Sequence, residues 1–130
     1  MSYEFNTTLH GSFDSVLEKV RTILQEEQLG VVSEVDVQAI FKAKMARDIA
    51  PYRIFGACNP RLAAQVIDEE PNAGVLLPCN FILYEKAPDH IVVSFMDPVT
   101  VLGLTQSMAA HEVGGLAREK LLRVIDRLAA

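Results

Sequence analysis

The chain has 130 residues, half of them apolar and 22 % charged, with no low-complexity tract. That length and composition describe a single domain over residues 1–130 with a real core, and they exclude a disordered chain. A formal net charge of −5 without any basic stripe argues against a nucleic-acid binder and fits a solvated acidic surface.

The start, Met1–Asn6, has neither a basic leader nor an apolar run. The most apolar stretches, 75–84 and 91–96, are too short and too interrupted to span a bilayer. The expectation is a cytoplasmic protein without membrane contact, whose two thiols stay reduced.

Alternation over Tyr3–Leu9 predicts a half-buried strand with Tyr3, Phe5, Thr7 and Leu9 on one side. His10-Gly11 turns the chain and Ser12 caps a helix whose stripe is Phe13, Val16, Leu17, Val20, Ile23 and Leu24. Gly30 stands where a left-handed cap would end that helix. Val31–Val37 predicts a second strand, with Val31, Ser33, Val35 and Val37 on one face. Asp36 or Val37 opens a shorter helical segment through Ala46, and Tyr52–Cys58 predicts a third strand.

Asn59-Pro60 is a helix start, a capping side chain followed by proline at the first helical position. Leu62, Ala63, Val66 and Ile67 form the buried stripe of that helix, which Pro71-Asn72-Ala73-Gly74 stops. Two strands follow, Val75–Glu85 and His90–Met96, joined by a hairpin loop at Lys86–Asp89. The segment Asp97–Met108 is apolar yet reads as a loop or frayed helix, so it needs cover from its own domain, a second subunit or a ligand. Glu112–Leu128 predicts a C-terminal amphipathic helix.

The order β-α-β-α-β-α-β-β-α points to an α+β fold with an antiparallel component. Whether the third and fourth strands run parallel stays open at this level.

The runs Pro51–Ala63 (PYRIFGACNPRLA), Gly74–Asn80 (GVLLPCN) and Val93–Pro98 (VSFMDP) resemble a bacterial and archaeal family, domain-of-unknown-function family number 302. The likeness covers most of the chain and is densest from Glu34 to Pro98. It implies a fold rather than an activity. That fold is a five-stranded, mainly antiparallel sheet against a long C-terminal helix, similar to the TATA-binding-protein-like architecture. The resemblance also implies a homodimer.

The two cysteines share a setting: each is followed by asparagine, in Cys58-Asn59 and Cys79-Asn80. Cys58 ends a strand just before a helix start, where free N–H groups and the helix dipole favour thiolate or hold an anion. Cys79 follows Pro78 at the start of a strand. Antiparallel pairing brings the two thiols together; parallel pairing separates them. Burial as small hydrophobes is the commoner fate of free cysteines, and a metal site lacks the spacing. No cofactor motif is present.

Lys44 is the next candidate, an amine on one helical face with Val37, Ile40, Phe41 and the carboxylate of Asp48, as anion anchor or base unless the helix frays before it or its stem snorkels to water. Arg53 is a candidate contact for an anionic ligand. His10, His90 and His111 share no metal spacing and read as exposed bystanders. Three functions remain open. The first is binding of a small, possibly anionic ligand, or action through a thiol, between the sheet and the C-terminal helix near Cys58, Asn59, Cys79 and Asn80, with Lys44 and Arg53. The others are a Cys58-dependent redox or transfer enzyme, and an interaction module with buried cysteines.

Overall fold

The computed structural model describes residues 2–130; Met1 alone lies outside them. The elements are β1 (Glu4–His10), α1 (Phe13–Glu26), β2 (Gly30–Asp36), α2 (Val37–Met45), β3 (Tyr52–Cys58), α3 (Pro60–Glu69), a 3-10 turn (Pro71–Leu76), β4 (Cys79–Ala87), β5 (His90–Met96), α4 (Pro98–Leu102) and α5 (Met108–Ala129). The five strands form one sheet in the order β1-β5-β4-β3-β2, with every neighbouring pair antiparallel. This is the α+β arrangement expected, with the predicted C-terminal helix in place. Among the described residues no helix is long and apolar enough to cross a membrane.

One face of the sheet carries the core. Leu9, Phe55, Ala57, Phe81, Leu83, Ile91, Val93 and Phe95 pack against the stripe Val16, Leu17, Val20, Ile23 and Leu24 of α1 and against Leu121, Val124 and Leu128 of α5. The stripe buries because α1 repeats apolar residues at helical spacing, and only one face of the helix meets the sheet. Aromatic side chains cross the strands in register, with ring centroids 5.0 Å apart for Phe55–Phe81 and 5.2 Å for Phe81–Phe95, which adds cross-strand packing to the burial. A second cluster gathers Val66, Ala73, Leu102, Ala110 and Val113, with Leu62, Leu76 and Leu77 against it, and ties α3, the 3-10 turn, α4 and α5 together.

Tyr3 precedes β1 and is exposed, as is Ile67 of the expected α3 stripe, of which Val66 is the fully buried member. Beyond these, the chain departs from sequence expectation at four places. The left-handed residue after α1 is Gln28, with φ 60°, rather than Gly30. The Leu29 N–H reaches the Leu24 carbonyl at 2.9 Å and the Leu29 side chain is buried, so the chain turns early and Gly30 opens β2. In β2 a bulge between Val31 and Ser33 shifts the register. Val31 therefore packs on the core, while Val35 falls on the outer face opposite Ile54 and stays exposed. The predicted common face of that strand is broken by the extra residue.

The third departure is Val75–Pro78, read as strand but preceding β4, which starts at Cys79. Pro71 opens a 3-10 turn there, and Val75 is 87 % exposed. The fourth is the segment 97–112. Asp97 caps α4, its carboxylate accepting from the Val99 N–H at 2.9 Å. Ser107 then caps α5, accepting from the Ala110 N–H at 3.1 Å. The predicted loop is thus a short helix plus the first turn of a longer one; its own domain buries Pro98 and Leu102 but leaves Val99, Leu104 and Met108 exposed.

Candidate functional site

Antiparallel pairing of β3 and β4 answers the question left open by the sequence. Ala57 is the register partner of Cys79, so Cys58 and Cys79 stand at the same end of the sheet on neighbouring strands. Both are free thiols. The approach to Cys79 is shaped by Pro78, whose ring lies in the space a Cβ on Gly56 would need.

A narrow cleft with an interior of about 20 Å³ lies at this end of the sheet between β3, β4, α3, α4 and α5. Cys58, Asn59, Cys79 and Pro78 line it, facing Leu62 and Ala63 of α3, Leu102 of α4, and Val113 and Ala117 of α5. Among the described residues no charged side chain borders it. Its walls are apolar like those of small-molecule sites, but its interior has room for little more than one water, well below the size of such sites.

The electrostatics oppose the thiolate expectation. Burial pushes the Cys58 thiol up from its ordinary value. Burial, and then the neighbouring Cys58, push the Cys79 thiol up to about 11. The helix start that was to favour the anion has few donors to offer. Pro60 has no N–H, and the Arg61 and Leu62 N–H groups donate to Asn59 Oδ1 at 3.0 and 3.2 Å. Asn59 thus satisfies its own helix, and removal from water is what shifts the Cys58 thiol. Near neutral pH both sulfurs are thiols, a state that makes poor nucleophiles.

The other candidates scatter. Asn80 pairs with Gly56 and is exposed, outside the cleft lining. Lys44 lies on α2, which buries none of its residues; the ammonium that meets a carboxylate there is Lys42, 2.9 Å from Asp48. Lys44 is thus exposed, not desolvated, because α2 never docks on the core. Arg53 is held by Glu34 at 3.1 Å and Asp36 at 3.7 Å, with its guanidinium 5.0 Å above the Phe13 ring. Its charge is already balanced and it does not border the cleft.

Sequence reasoning expected the C-terminal helix as the far wall but named none of its lining residues. Ala63 and Ala117 are small residues on otherwise bulky helical stripes, and their size leaves the space open; that contrast was the available signal. Among the described residues no group of three or more histidine, cysteine or acidic side chains is placed to hold a metal ion.

Comparison with known proteins adds family and fold. No curated protein matches the chain. A crystal structure of an uncharacterized conserved protein DUF302 from Bacillus stearothermophilus is similar at a TM-score of 0.88 with 22 % identity, covering 98 % of this chain and 99 % of that one. The model of the family described as domain of unknown function DUF302 matches residues 5–128, and the chain belongs to that family.

Proposed function

We propose that this chain binds a small, uncharged, largely apolar molecule at Cys58 and Cys79, in a cleft that widens to admit it by movement of α3 against α5. The thiols act as polarisable contacts rather than as nucleophiles. The observation that carries this reading is the lining itself: apolar side chains, two cysteines and an Asn59 already engaged in capping α3, without a charged group among the described residues. An anionic ligand finds less support, since the α3 N–H groups already serve Asn59. A Cys58-dependent enzyme finds less support too, because burial raises the thiol and no histidine borders the cleft to take its proton.

Thermal-shift screening with small aromatic and aliphatic fragments tests the reading, using Ala117→Leu as a variant that narrows the cleft. Fragments should raise the melting temperature of the wild-type chain and leave the variant unmoved. Equal shifts in both proteins, or hits confined to anions, would overturn it.

A second reading, an interaction module, is favoured by helix α2. It leaves Ile40 and Met45 44 % and 54 % exposed, next in the chain to Val35 on the outer face. The occupant we infer is a second copy. Lys44 and Arg47 follow edge strand β2, while Glu4 lies on the opposite edge strand β1. Apposing outer faces about a two-fold axis brings each pair of cations toward the other copy's carboxylate. Analytical ultracentrifugation should then find a dimer that Ile40→Glu dissociates; a wild-type monomer at micromolar concentration would exclude it.

A further inference from the structure

The structure brings together two residues that sequence spacing kept apart. His10 closes β1 and His90 opens β5, eighty positions later, and the antiparallel pairing makes them register partners. Their rings are 4.5 Å apart at the centroids, with planes inclined by 64°, and both side chains are exposed. The backbone around them is tied down on both sides, because the Gly11 N–H donates to the Asp89 carbonyl at 3.0 Å.

The decisive contact is on the other side of the His90 ring. Nδ1 lies 2.9 Å from the Pro88 carbonyl oxygen. A carbonyl only accepts, so Nδ1 carries the hydrogen and the lone pair of the neutral ring is on Nε2. This is the arrangement found around metal-binding imidazoles, one ring nitrogen anchored to a backbone carbonyl and the other left free to coordinate. At the observed ring separation, rotation of the exposed His10 ring lets one of its nitrogens converge with His90 Nε2 on an ion about 2.1 Å from each.

We infer that His10 and His90 form a two-imidazole chelate for a divalent transition ion of borderline softness, Ni²⁺, Cu²⁺ or Zn²⁺, at the hairpin end of β1 and β5. Imidazole selects these ions over Mg²⁺ and Ca²⁺, which take oxygen ligands. With two protein ligands, water completes the coordination, so the ion is exchangeable and accessible rather than sealed in. His111 is the internal contrast: its Nε2 meets the Thr105 carbonyl at 2.7 Å, with no second imidazole beside it.

Calorimetric titration of the full chain with Ni²⁺, in a non-coordinating buffer, tests the site. One ion per chain is expected, with affinity falling at least about ten-fold in His10→Ala and, separately, in His90→Ala. His111→Ala and the Cys58→Ser/Cys79→Ser double variant should bind as the wild type does. Paramagnetic broadening of the wild-type spectrum should centre on His10 and His90. The inference fails if the wild type binds no Ni²⁺, if both single-histidine variants retain its affinity, or if binding disappears with the cysteines.

Discussion

The ring of Pro78 lies against the bare Cα of Gly56, in the space where a Cβ would stand, and the Ser33 hydroxyl enters the same space from the bulge of β2. This contact joins β2, β3 and the entry to β4, and it sets where Cys79 meets Ala57. Gly56→Ala forces the ring and the hydroxyl aside, at a cost of about 1–3 kcal/mol for an overpacked site. Urea denaturation measures it. Adding Pro78→Ala should recover part of the loss; strictly additive costs would show that the ring is not the obstacle.

The glycine doublet on α5 separates two effects that the sequence could not. A Cβ at Gly114 would stand 2.9 Å from the Pro98 carbonyl oxygen, whereas nothing lies within 4 Å of one at Gly115. Gly114→Ala therefore pushes α4 off α5 and destabilises. Gly115→Ala meets open space and removes the backbone freedom of a helical glycine, for a gain of up to about 1 kcal/mol. Melting temperatures of the two variants should move in opposite directions.

Protonated cysteines give the fold a liability in alkali. The Cys79 thiol rises to about 11, while in the unfolded chain it ionises at an ordinary thiol value of about 8.5. Between those values the folded state holds a proton that the unfolded state has released, so stability falls as pH rises and is full below the lower value. The slope is at most about 1.4 kcal/mol per pH unit for one proton. Denaturation between pH 8 and 11 should show this decline, flattened in Cys79→Ala. Native-state alkylation should leave Cys79 inert at pH 8, with Cys58 slower than a free thiol.

Ser107 joins two helices through one hydroxyl. Its oxygen accepts from the Ala110 N–H at 3.1 Å and its hydrogen goes to Glu69 at 2.8 Å. Donation from Ser107 holds the Glu69 carboxyl below its usual value. Ser107→Ala removes the cap of α5 and should cost about 1 kcal/mol; Ser107→Thr, which keeps an oxygen acceptor, should lose much less. Equal losses would place the effect elsewhere.

Much of this architecture is visible in local pattern. The α1 stripe is legible because helical spacing and burial coincide, and the β3–α3 junction because Asn59-Pro60 carries the cap in two adjacent residues. Asp97-Pro98 carries the same signal for α4, but the apolar residues after it lack helical spacing and read as loop. Val75–Pro78 reads as strand from its branched and apolar residues, yet Pro71 starts a 3-10 turn that leaves Val75 in solvent.

The site divides along the same line. Cys58 and Asn59 are local to one turn, whereas their meeting with Cys79 depends on strand direction, which no local pattern encodes. Lys44 stood out on an apolar helical face, but that face is not buried. His10 and His90 meet only through the register of β1 with β5.

Chemical-shift mapping of a bound fragment tests the central claim most directly. A small apolar ligand added to the ¹⁵N-labelled chain should shift the amides of Cys58, Ala63, Cys79 and Ala117 and leave those of the outer sheet face unmoved. Ala117→Leu should abolish the response. Shifts centred on α2 or the outer strands, or an unchanged response in the narrowed variant, would contradict a ligand site between the two thiols and the small face of α5.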